Sequence, residues 1–111
     1  RLDGDHLEAR LALLDHLVET TRELHAAGDI NRTLANATVY LEAFGHVVLA
    51  WIWIEQALAA ARAPDRNDDF HRGKMQACQY FIRWELPKVR PMLNLLDALD
   101  TTALDMKDEW F

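Results

Sequence analysis

Helix breakers are scarce in this sequence, with three Pro and four Gly among 111 residues. That scarcity removes most turn signals of an all-β fold, and the abundance of Ala, Leu, Glu, Asp and Arg favours helices. Cysteine is almost absent. The lone Cys78 cannot form an internal disulfide, so nothing requires an oxidising compartment, and a buried inert thiol is the expectation. Cations are in deficit, 12 Lys and Arg against 18 Asp and Glu, for a net charge of −6. Such a balance argues against nucleic acid as the main partner, because phosphate binding needs a basic surface. Long apolar runs are missing as well. The longest, Val47 to Ile54, is closed by His46 and Glu55 and falls well short of the roughly 18 residues of a membrane span. The acidic amino end, with apolar positions that are periodic rather than continuous, does not read as a secretory signal. These absences lead to the expectation of a soluble cytoplasmic protein with no membrane span. A start at Arg1 rather than Met leads to the expectation of a fragment of a longer chain.

What is present is periodic. Half of the residues are apolar, enough for one domain over residues 1–111 with its own core. Leu7, Leu11, Leu14, Val18 and Thr21 share one helical stripe, widened by Leu17 and Leu24, with Asp3 or Asp5 to cap its start and Gly28 its end. Asp29 or Asn31 can open a second helix of about 30 residues, roughly 45 Å long. Its expected core stripe is Leu34, Ala37, Leu41, Phe44, Val48, Trp51, Ile52 and Leu58. Around Val47 to Ile54 that helix is apolar on every face, so it is either central or turned towards another protein. A polar loop over Ala63 to Asp69 precedes a third helix that starts near Asp68, with Phe70, Ala77, Cys78, Phe81 and Trp84 on the expected buried side. Pro87 must kink or end it, and Leu93, Leu96 and Leu99 continue an apolar face past Pro91. Asp100 to Thr102 can cap a last short turn. The fold class is therefore all-α, an antiparallel up-down bundle of three long helices plus a Pro-kinked fourth segment.

Charge is unevenly placed. Asp3, Asp5, Glu8, Asp15, Glu19, Glu23 and Asp29 face only Arg10 and Arg22, whereas Arg72, Lys74, Arg83, Lys88 and Arg90 face only Glu85. The simpler use is an acidic helix lying beside a basic one; the other is a basic groove for an anionic ligand. Catalytic patterns are thin. A di-metal carboxylate bundle needs paired Glu-x-x-His motifs, and the nearest arrangement is Glu42 with His46, accompanied by His16 and Glu19. His46 is expected instead to bond a carboxylate or carbonyl at the core edge. No Gly-rich phosphate loop exists. Gly45 and Gly73 lie inside helices, where close helix approach is the expected compensation. The aromatics are mostly core, but Trp51 and Trp53 stand about 200° apart on a helix, so one of them is a candidate interface anchor. Trp110 and Phe111, at the chain end, point to a tail that docks. No catalytic, cofactor or metal residue is assigned; the interface candidates are Trp51, Trp53, Trp110 and Phe111.

Three stretches, Ala35 to Gly45 with Trp51, Phe70-His71-Arg72-Gly73-Lys74 through Phe81, and Asp108-Glu109-Trp110-Phe111, resemble the carboxy-terminal domain of large bacterial acyl-CoA dehydrogenases. The resemblance covers nearly the whole chain, and the order of the motifs is more specific than any one of them. It implies a helical module on a dehydrogenase core, within a homo-oligomer whose FAD takes a hydride from the acyl β-carbon while a carboxylate removes the α-proton. The core, its base and its flavin site are not in these residues, so no cofactor is expected on this domain alone. The alternative is a free-standing helical dimerisation protein.

Overall fold

The computed structural model describes residues 4–111, with residues 4–7 and 9 described by their backbone alone. Its regular elements are all helical: α1 (Gly4–Ala26), α2 (Ile30–Leu34), α3 (Ala37–Arg62), α4 (Asp69–Tyr80), a π-helical turn (Phe81–Glu85), a 3-10 turn (Leu86–Lys88), α5 (Val89–Asp97) and a last 3-10 turn (Asp108–Trp110).

Local chemistry explains most of the boundaries. Gly28 adopts φ 72° just past α1, the left-handed conformation that any Cβ would disfavour. Asp29 then caps α2, its carboxylate accepting from the Asn31 and Arg32 amides at 3.0 and 3.5 Å. The cap expected from Asp3 or Asp5 on α1 lies outside the described side chains. The single second helix expected from the sequence is broken after α2. Thr33 Oγ1 turns back to the Leu24 carbonyl at 2.9 Å, and Asn36 donates from Nδ2 to the Asp100 carbonyl at 2.8 Å. Short polar side chains of this kind compete with the helix ladder, and here they bend the entry to α3. Asp68 caps α4 through its bond from the His71 amide at 2.9 Å.

The α-helical ladder is interrupted around Pro87, between Tyr80 and Val89. The proline has no N–H and would crowd the carbonyl four residues before it. The chain therefore widens ahead of the proline, where the Leu86 amide bonds to Phe81 O in the i to i−5 pattern, and tightens into a 3-10 turn before α5. At the far end of α5, Leu99 takes φ 50°, with the Asp100 amide reaching Leu95 O at 3.4 Å. A leucine occupies the left-handed position that glycine usually fills, and its side chain is held there by packing on the core.

Three rods result. Thr21 bonds Tyr40 while Leu11 and Leu14 meet Val47 and Trp51, so α1 and α3 run antiparallel. His71 and Lys74 lie beside Ala60 and Gln56, while Glu85 reaches His46, so the rod from α4 to α5 is antiparallel to α3 in turn. The α5 half of that rod runs alongside α1, where His16 and Thr20 both bond the Asp97 carboxylate. The molecule is long and thin, 61 × 30 × 18 Å.

The core follows the expected stripes only in part: Leu17 and Leu24 on α1 are buried as expected, and most of the other buried positions lie beside the expected ones. On α1 the buried side chains are Leu13, Leu17, Thr20 and Leu24, with Arg10 beside them, while Leu11, Leu14 and Val18 are exposed. On α3 the buried positions are Ala43, Ala50, Ala57 and Ala60, with Val39, Val47, Trp53 and Ile54 partly covered. The expected stripe of Leu34, Leu41, Phe44, Trp51, Ile52 and Leu58 points outward. Ala43, Ala50 and Ala57 repeat every seven residues, and small side chains let neighbouring helices approach α3 closely. Phe70 and Trp84 are also exposed, whereas Cys78 is buried and Phe81 packs on the core as expected, joined on the inner side of the third rod by Met75, Ile82 and Leu86. Leu93 and Leu96 are fully buried as expected. Gly45 and Gly73 do not mark close approach, since a Cβ at either would meet nothing within 4 Å.

The acidic α1 does lie beside α5, but among the described residues no α1 carboxylate pairs with a basic side chain of the third rod. Lys88 pairs with Glu85 on its own rod, Lys74 lies over the Trp53 and Phe70 rings, and Arg90 reaches the His16 ring.

Candidate docking face

The outward stripes of α1 and α3 form one surface. Leu11, Leu14, Val18 and Thr21 advance by three and four residues along α1, as do Leu41, Phe44, Val48, Trp51, Glu55 and Leu58 along α3. That is the spacing with which helices pack side by side, and here each helix carries it twice, once inward and once outward. Because the two helices are antiparallel neighbours, the outward stripes flank a common groove of about 200 Å³, where Leu11 and Leu14 face Val47, Ile54 and Trp51. A second groove of about 240 Å³ lies further along the same pair, between Thr21, Leu24, Leu34, Ala37 and Tyr40.

Trp51 is the largest side chain on this face and is 64% exposed, its indole N–H donating to Glu55 Oε1 at 3.2 Å. Trp53 turns the other way and packs against the core beneath Lys74, 6.0 Å from the ring centroid. Trp110 and Phe111 do not dock on this chain. Phe111 is 94% exposed, and Lys107 sits 5.3 Å over the Trp110 ring. The face also makes α3 unusual. Its 26 residues contain a window of mean hydropathy 1.5, long and apolar enough by length and composition to cross a membrane, which the short run Val47 to Ile54 did not disclose. Core helices of soluble proteins pass the same test when mostly buried, whereas 11% of this window is buried.

The polar residues singled out in the sequence are engaged structurally. His46 bonds the Glu42 carbonyl through Nδ1 at 3.0 Å and faces Glu85 through Nε2 at 3.5 Å. Lys88 first, and His46 second, hold the Glu85 carboxyl below the usual carboxylate range. His16 belongs to the Asp97 and Thr20 cluster instead, so Glu42, His46 and His16 are not brought to one point. Among the described residues, the group with ligand atoms gathered within 4.8 Å is Asp65, Asp68 and His71. It sits at the start of α4, where the helix dipole disfavours a cation and Asp68 is occupied as the cap. Cys78 is buried, and burial pushes its thiol above the usual value.

The sequence named Trp51 as an interface candidate and the second helix as a possible protein contact, but its periodicity placed Leu11, Leu14, Leu41, Phe44 and Leu58 in the core. The available signal was the run of alanines at positions 43, 50 and 57.

Neither the curated proteins nor the solved structures give a match to this chain. The family model described as acetyl-CoA dehydrogenase C-terminal like matches residues 4–107. With that match spanning nearly all of its length, the chain belongs to the acetyl-CoA dehydrogenase C-terminal-like family.

Proposed function

We propose that this chain is an accessory carboxy-terminal domain of a flavin-dependent acyl-CoA dehydrogenase, and that its outward α1–α3 face docks on the dehydrogenase body. The observation that carries the reading is that face. A chain of this size exposes Leu11, Leu14, Leu41, Phe44, Trp51 and Ile52 together, and contiguous exposed apolar area of this kind marks an interaction site. Its spacing suits helices as the partner surface. Membership of a family described as acetyl-CoA dehydrogenase C-terminal like supports a dehydrogenase body as that partner.

In this reading the parent enzyme oxidises acyl-CoA to 2-enoyl-CoA in the cytoplasm, and the flavin and base belong to the body. The grooves described above are largely apolar, with Arg10 at one and His25, Thr21, Thr33 and Tyr40 at the other, and have no Gly-rich turn of the kind that cradles a dinucleotide, so no step of the oxidation is assigned to this chain. The domain contributes packing, and through it contacts within a homo-oligomer. Trp51 is its anchor; the Trp110 and Phe111 tail adds a second exposed aromatic contact.

The test is the whole gene product, purified and examined for mass, visible flavin spectrum and acyl-CoA-dependent reduction of an artificial acceptor. Flavin, activity and an oligomer weakened by Trp51→Asp are expected. A product without flavin, turnover by residues 4–107 alone, or Trp51-dependent uptake onto lipid vesicles would each refute the reading.

A further inference from the structure

We draw no further inference here: the strongest candidate, the surface patch of exposed Leu104, Met106, Trp110 and Phe111 on the segment that follows α5, is an apolar face, and nothing in the structure shows what covers it.

Discussion

Adjacent leucines on α1 have opposite fates, and that contrast can be measured. Leu17 is 4% exposed and belongs to the core cluster, whereas Leu14 is 43% exposed on the outward stripe. Truncating a buried leucine removes its transfer free energy and leaves a cavity, so Leu17→Ala should cost about 2–5 kcal/mol. Leu14 has given up nearly half of its burial already. Full burial of a leucine stabilises by roughly 2 kcal/mol, so Leu14→Ala should cost about 1 kcal/mol or less. The same logic applies across the groove on α3. Ala50→Leu forces a larger side chain between closely approaching helices and should cost about 1–3 kcal/mol, while Trp51→Ala, next in sequence, should cost well under that. Urea unfolding followed by circular dichroism measures all four on one scale. A separation of about 2 kcal/mol on α1 corresponds to roughly 10 °C in Tm for a domain of this size. Equal costs for Leu14→Ala and Leu17→Ala, or a neutral Ala50→Leu, would refute the assignment of inward and outward stripes.

Other expectations follow from single positions. Gly45→Ala and Gly73→Ala should each stabilise the protein by about 0.5–1 kcal/mol, because both glycines are helical with open space around a Cβ, and thermal melts against wild type would show it. Gly28→Ala should do the reverse by about 1–2 kcal/mol, since its φ of 72° strains any L side chain. Asp68 is held below the usual carboxylate range, first by the His71 amide and then by the His71 ring. A depressed folded pKa means the cap contributes above the unfolded carboxylate value of about 4 and is lost as pH falls through the lower folded value. Acid unfolding of Asp68→Asn should therefore depend less steeply on pH below about 4 than that of wild type, and an unchanged slope would remove Asp68 from the account.

Much of the fold was legible because it rests on local chemistry. Gly28, Asp29 and Asp68 mark their helix ends by the conformations and hydrogen bonds that these residue types provide. Pro64 in its polar surroundings marks the loop between α3 and α4, and Leu93 with Leu96 marks the face of α5 that is buried. The core assignment held for Leu17 and Leu24 on α1 and failed on α3 for a physical reason. The third element, α3, has two apolar stripes, and hydrophobicity alone favours the one with larger side chains. Close packing favours the smaller ones: α3 buries Ala43, Ala50 and Ala57 and leaves Phe44, Trp51 and Leu58 outside. The choice between Trp51 and Trp53 was a question of helical phase, and the alanine repeat settles it by fixing which side faces inward. The break at Asn36 and the π-helical turn before Pro87 were not legible, because each depends on a partner distant in sequence or on how a whole rod accommodates a proline.

The proposed function requires the outward α1–α3 face to be covered in the working protein. Trp51 on that face and Arg22 on the polar side of α1 are comparably open in this chain, at 64% and 73%. A cysteine introduced at each, with the native Cys78 buried and silent, reports coverage by its rate of labelling in the intact gene product. Slow modification of Trp51→Cys beside fast modification of Arg22→Cys is the predicted result. Equal, fast rates at both positions would leave the face bare and contradict the claim.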